Sequence, residues 1–294
     1  MTFVAQSIIN GLLIGGVYAL VAMGLNLMFG VMKIVNFAQG EFLMVGMYVA
    51  AGLGGMFLPP GLFGVYWTAI PTVAVLAAAG IAFYLVLLQR AARSGETAQI
   101  LLTIGVSIAL QGGAQVLAGS GFRFLRSPIY GSAMRLGDLT IPVPQTIAFG
   151  VALVVTVIMA GVLRSTIWGK SVRAIAENAE TAQTLGIDAR RVFLSATAVA
   201  IGLAGLAGAL LAPYYYTFPQ VGQSFVVISF LAIVIAGLGN VVGAVWGGLA
   251  FGVVQSLTAS YFSLGFSTAA MYVLFLAVLL LRPEGIFSGR TRSV

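Results

Sequence analysis

The chain has 294 residues, 60% hydrophobic and only 7% charged, with 14 Lys and Arg against 7 Asp and Glu. A soluble domain carries roughly 25% charged residues, so this chain cannot clothe a soluble body of its size, and lipid must be its main solvent. Cys and His are absent, which excludes disulfides, cysteine nucleophiles, imidazole bases and the usual zinc and haem ligands; the net charge of +7 fits loops held on the cytoplasmic side of a membrane better than nucleic-acid binding.

The pattern is that of an all-α polytopic membrane protein with about eight or nine transmembrane helices in one domain, residues 1–294. The opening MTFVAQSIINGLL has no basic n-region and reads as the start of a first span, Phe3 to Phe29, rather than a cleaved signal. Gly11 and Gly15 form a GxxxG pair suited to close helix packing. Lys33, Asn36, Gln39 and Glu41 then separate this run from a second helix, Ala38 to Met56, with Glu41 in its first turn, where the helix dipole favours a carboxylate. Two readings stand: a loop and helix start at the membrane surface, or a broken helix lining a polar cavity.

Pro59 and Pro60 mark a loop, and Trp67 to Leu88 is a third span with Trp67 as an interface anchor. After a short basic loop with Arg90 and Arg93, Ala98 to Ala118 is a fourth span. A long polar loop, Gly119 to Pro144, carries Arg123, Arg126, Arg135 and Asp138. Gln145 to Leu163 is the fifth span.

Residues Arg164 to Arg191, RSTIWGKSVRAIAENAETAQTLGIDARR, form the one long charged island. Its Ala, Glu and Gln content favours a helix, with Ser171 available as its cap and Gly186 suited to its C-terminal stop. Ile175, Ala179 and Ala182 share a face whose small residues permit close approach. Val192 to Pro213 follows as a sixth span with Gly202, Gly205 and Gly208 along one stripe, then an aromatic belt at Tyr214, Tyr215 and Tyr216. Ser224 to Leu238 is short for a span and ends in a Gly237–Asn240 turn. Val241 to Tyr261, with Gly243, Gly247, Gly248 and Gly252, and Phe266 to Leu281 complete the set; Pro283, Arg290 and Arg292 lie beyond.

The basic loops place Arg90 and Arg93, the island and the C-terminus in the cytoplasm and the N-terminus outside. The loop with Arg123, Arg126 and Arg135 then lies outside, against the charge rule, which an external partner explains. Interrupted hydrophobic segments near 30–41 and 220–240 echo each other across the two halves, the sequence pointer to a central pathway in transporters built from repeats.

Gly169-Lys170-Ser171 imitates the end of a phosphate-binding loop, but the pattern needs Gly where Arg164 stands, and no strand precedes it. The chain is expected to hydrolyse no ATP, to hold no metal or cofactor and to be no enzyme.

The stretch GKSVRAIAENAETAQTLGID closely resembles the cytoplasmic coupling segment of permease subunits of ABC importers, and within these the branched-chain amino acid permease family of LivH type. GLLIGGVYALVAMGLNLMFGVMKIVNFAQGEFLMVGMYVA, residues 11–50, is similar to that family's N-terminal signature, and RPEGIF, residues 282–287, to its C-terminal one. The resemblance implies a bacterial inner-membrane importer for branched-chain or similar amino acids. It implies a second related permease, forming a heterodimer, two cytoplasmic ATPase subunits that bind the ATP, and an external substrate-binding protein. The coupling contact would fall on Ala174, Glu177, Asn178, Leu185 and Gly186; Asn36, Gln39 and Glu41 are the pathway candidates. Ala179→Pro is expected to break the island helix and uncouple ATP hydrolysis from transport. Competing readings are an ion-coupled secondary transporter, for which Glu41, placed near an interface, is the one candidate carboxylate, a passive channel, and an importer of urea or amides.

Overall fold

The structure, a computed structural model, describes residues 2–56, 64–91, 94–125, 127, 129–282 and 285–286. Pro59, Pro60, Arg93, Arg126, Pro283, Arg290 and Arg292, which figure in the sequence reading, lie outside the described residues. The helices are α1 (Thr2–Met32), α2 (Gln39–Met56), α3 (Ala69–Phe83), continued by a π-turn (Tyr84–Leu88) into α4 (Gln89–Ala91), and α5 (Glu96–Ala118). A hairpin of β1 (Ala133–Leu136) and β2 (Leu139–Pro142) precedes α6 (Val143–Ser165), α7 (Ile167–Glu177), α8 (Ala179–Thr184), α9 (Ala189–Leu211), α10 (Val221–Ala236), α11 (Val241–Tyr261) and α12 (Leu264–Leu281).

Among the described residues, six helical segments are long and apolar enough to cross a membrane, and the segments Val221–Ala236 and Gly265–Leu281 are shorter apolar helices. The polytopic all-α fold expected from hydropathy is therefore observed. Two ends can be told apart by contact. The island end gathers Lys33, Arg90, α7, α8 and the turn after α10; there Gln89 accepts from Arg190, and Ile286 N–H bonds Ile235 O at 2.7 Å. The hairpin end gathers the start of α1, the loop before α6 and the end of α9. Gln6 exchanges two hydrogen bonds with the backbone of Thr140 there, and Arg123 and Thr217 exchange two backbone bonds at 2.8 Å.

α1 is the central pillar. Every residue from Gly15 to Met28 is buried, as a helix apolar on all sides demands. It runs antiparallel to α11 along a seam of small residues: a Cβ added at Gly15 would lie 2.9 Å from Leu249 Cα, and one at Gly11 2.6 Å from Val253 Cα. Lipid offers no hydrophobic gain for helix association, so such close backbone contact supplies it by dispersion. The expected glycine stripe on α9 does the same work: Gly205 admits Gly46 and Leu76, and Gly208 admits the Leu43–Met47 turn of α2.

Gly119 to Pro144 is the expected long polar loop, and it carries local structure of its own. It contains the hairpin, with Leu136 opposite Leu139 and Gly137 in the turn at φ 61°. A two-residue turn with Gly first matches the twist of the strands, and Gly137-Asp138 between short apolar alternations was the signal for it.

Candidate functional site

α1 ends at Met32, and Lys33, the one non-glycine residue among those described with positive φ (58°), turns the chain sharply. Residues 33–38 then run back into the bundle without helix. Asn36 organises this stretch: its Oδ1 accepts from Ala38 N at 3.1 Å, and its Nδ2 donates to Gln39 Oε1 at 3.2 Å. Gln39 Nε2 donates to Ala200 O at 2.9 Å, and Ala200 is the middle residue of α9. Glu41 Oε1 accepts from Gln111 Nε2 at 2.7 Å and from Ser107 Oγ at 3.2 Å, and Ser107 is the middle residue of α5. The first turn of α2 therefore lies at half depth. The surface-loop reading is corrected, as is the placing of Glu41 near an interface: this is a broken helix inside the bundle, its polar groups but one answered by protein.

The structure divides the three pathway candidates. Asn36 and Gln39 are fully buried, and their hydrogen bonds within the chain hold the break in shape. Glu41 is just as buried, but its Oε2 has no hydrogen-bond partner.

The second interrupted segment meets the first. α10 starts at Val221, and Gly222 packs directly on Gly40, backbone against backbone. The two helix N-termini thus converge beside Glu41. Gln223 Nε2 donates to Gln111 Oε1 at 3.2 Å, so a polar line runs Ser107, Glu41, Gln111, Gln223. Gln223 also borders a cavity of about 370 Å³ whose wall includes Tyr18, Phe225, Gln255, Thr268 and Met271. Within it Tyr18 Oη donates to Gln255 Oε1 at 2.6 Å.

Sequence reading missed the contribution of α5. Gln99, Thr103, Ser107, Gln111 and Gln115 recur every fourth residue along it, one slowly winding polar stripe on an otherwise apolar span. Thr103 Oγ1 reaches Val35 O at 3.4 Å, and Ser107 and Gln111 reach Glu41. The spacing was visible, but its target was not.

The charged island is two helices rather than one. Thr166 caps α7, its Oγ1 accepting from Gly169 N at 3.0 Å, whereas Ser171 Oγ donates back to Ile167 O, so the expected Ser171 cap is corrected. Asn178 breaks the helix with extended backbone (φ −153°) and caps α8 by accepting from Thr181 N at 2.9 Å. Gly186 at φ 87° ends it, as expected. The face of Ile175 and Ala182 is buried in the bundle, with Ala179 packed against the same core. The close approach that their small size permits is to this chain itself. Of the proposed contact residues, Glu177, Asn178, Leu185 and Gly186 are exposed and Ala174 is half-buried. Leu185 protrudes at 78% exposure. Ala179 is the first residue of α8, a position where proline is well tolerated, and the extended Asn178 before it is what proline requires. The expectation that Ala179→Pro breaks this helix is therefore withdrawn.

Among the described residues no three His, Cys, Asp or Glu side chains gather to hold a metal. Residues 7–282 match the family model for the branched-chain amino acid transport system / permease component. The chain is 30% identical over 291 residues to the high-affinity branched-chain amino acid transport system permease protein LivH of Salmonella typhimurium LT2, covering 96% of this chain and 94% of that one. It is 28% identical to LivH of Escherichia coli K12 over the same shares. It is 29% identical to the probable branched-chain amino acid transport permease protein LivH of Methanocaldococcus jannaschii, over 96% of this chain and 92% of that one. No solved structure matches the chain. With the matched region running from the first turns of α1 to the end of α12, the chain belongs to the branched-chain amino acid transport permease family.

Proposed function

We propose that this chain is the membrane permease subunit of an ATP-binding cassette importer that takes up branched-chain amino acids in the bacterial inner membrane. The observation that carries the reading is the family match along nearly the whole chain, including the island and the broken helix. In this reading ATP is hydrolysed on two separate cytoplasmic subunits, which grip α7 and α8 through Glu177, Asn178, Leu185 and Gly186, with Ala174 at the margin. An exposed leucine beside a capped, core-packed helix pair is a rigid handle for such a partner.

The island end is cytoplasmic. Lys33, Arg90, Arg164, Lys170, Arg173, Arg190, Arg191 and Arg282 lie there, against Arg123 and Arg135 among the described basic residues of the hairpin end. The N-terminus is external and the C-terminus internal. The hairpin, with Met134 and Leu136 exposed around Arg135, receives an external binding protein. A second related permease closes the pathway against α5, whose apolar surface this chain leaves mostly uncovered. ATP binding and hydrolysis then rock the pair between outward- and inward-open states.

One observation favours a second reading, ion-coupled secondary transport: a carboxylate buried at half depth is what ion coupling requires. Reconstitution of the complete complex in vesicles, with a panel of amino acids, urea and amides, separates the two. ATP-dependent accumulation of branched-chain amino acids is the expected result. Accumulation driven by an ion gradient without ATP refutes the importer reading, and ATP-driven uptake of urea or amides instead refutes the substrate.

A further inference from the structure

Glu41 sits where an isolated charge is costliest, at the centre of the membrane span. Oε1 is answered by Gln111 and Ser107, but Oε2 is enclosed and has no partner. The ion pair formed among the described residues is Arg191 with Asp188 on the island, far from this site. Two features favour the ionised form without a cation. Glu41 lies in the first turn of α2, and the N-terminus of α10 meets α2 at the same level, so the positive ends of two helix dipoles face it. Oε2 packs directly on the backbone of Gly222, which only glycine permits: a Cβ there would come within 2.7 Å of Oε2.

The helix that covers Glu41 is held by little of this chain alone. α5 supplies both hydrogen-bond donors to Oε1, yet only 6% of its apolar window is buried, against 72% for α1. Withdrawal of α5 from α2 breaks few contacts within this chain and bares a carboxylate with no counter-charge among the described residues. Gln223, hydrogen-bonded to Gln111, joins that carboxylate to the cavity walled by Phe225, Ile228, Leu231 and Met271. Its volume of about 370 Å³ holds a branched aliphatic side chain.

Building on the importer reading above, we propose that Glu41 contacts the substrate in transit: it takes the α-ammonium group of the passing amino acid when α5 draws Ser107 and Gln111 away, while the apolar wall beyond Gln223 takes the side chain. The proposal selects zwitterionic amino acids with apolar side chains over urea and amides, which bring no cation to Glu41.

The test uses the complete importer in vesicles, with a radiolabelled branched-chain amino acid and the variants Glu41→Gln and Glu41→Ala. Glutamine keeps one oxygen to accept from Ser107 and Gln111, removes the charge and turns the second oxygen into an NH2 donor. The expected result is a tenfold or greater loss of ATP-driven uptake at low substrate concentration for Glu41→Gln, with subunit assembly and thermal stability as in the parent. Parent-like uptake by Glu41→Gln overturns the proposal, whether or not Glu41→Ala is defective, because Glu41 is then only a tie for α5. Loss of uptake together with loss of assembly overturns it as well. So does collapse of the parent's ATP-driven uptake under a protonophore, which makes Glu41 a proton carrier. If the parent complex itself shows no ATP-driven amino-acid uptake, the importer reading fails and takes this inference with it; a defect confined to the variants cannot be mistaken for that.

Discussion

The crossing of α2 and α10 can be tested by one substitution made twice in the same helix. At Gly40 an added methyl group meets the backbone of Gly222, with Gly222 C at 2.8 Å and Val226 Cβ at 3.0 Å. A backbone cannot rotate aside as a side chain can, so ordinary contact is regained only by moving the helices apart by about half an ångström or more in a close-packed interior. Overpacking of this kind costs about 1–3 kcal/mol, and more where the neighbour is rigid. At Gly52, three turns further along α2, an added Cβ meets nothing within 4 Å. There alanine replaces a poor helix former and contributes about 0.5–1 kcal/mol of stability. Gly40→Ala should therefore lower the unfolding midpoint and Gly52→Ala raise it slightly. On a scale of about 2–4 °C per kcal/mol, the two variants separate by roughly 3–16 °C. Thermal unfolding in detergent reads the difference. If both variants shift alike, or if Gly40→Ala melts with the parent, α2 and α10 do not touch at Gly40, and the half-depth position of the break is wrong.

Ala179→Pro, at the first position of α8 behind an extended Asn178, should leave uptake and coupled ATP hydrolysis within twofold of the parent; Ala174→Pro, inside α7, should cost about 3 kcal/mol or more of helix stability and uncouple the two activities. Leu185→Asp should leave the permease's melting temperature within about 1–2 °C, because the side chain is exposed, yet weaken retention of the ATPase subunits during purification. Asn178→Ala removes the cap of α8 and should cost about 1 kcal/mol, read as faster amide hydrogen exchange at residues 180–184. Asn26→Leu should be severe: Asn26 accepts from Gly239 N at 2.7 Å and donates to Asn240 O at 2.7 Å, and orphaning those buried groups costs about 2–4 kcal/mol in thermal unfolding.

Hydropathy made the spans legible because lipid enforces them: the apolar runs Phe3 to Phe29 and Val192 to Pro213 lie within a few residues of α1 and α9. The glycine seams were legible too, since Gly11, Gly15, Gly248 and Gly252 keep helical spacing within their own helices. Depth was not. Asn36, Gln39 and Glu41 look the same in a surface loop and in a break at half depth, and what distinguishes the two is Ser107 and Gln111 on another helix and Ala200 on a third. The island shows the same limit at short range. Its composition signalled a helix, but one Asn that prefers to cap rather than continue split it, and which face turned inward depended on packing that no local pattern carries.

The seam between α1 and α11 also sets a schedule for assembly in the membrane. Ser7 bonds Ser260 across 253 residues of sequence. At a synthesis rate of about 5–20 residues per second, α1 waits roughly 10–50 s in the bilayer before its closest neighbour leaves the ribosome. Its largely apolar surface suits that wait, but Tyr18 and Asn26, which find Gln255 and Asn240 only at the end, do not. Cotranslational insertion of this protein therefore closes late, and nascent chains stalled before α11 should be the ones that quality-control proteases of the membrane recognise.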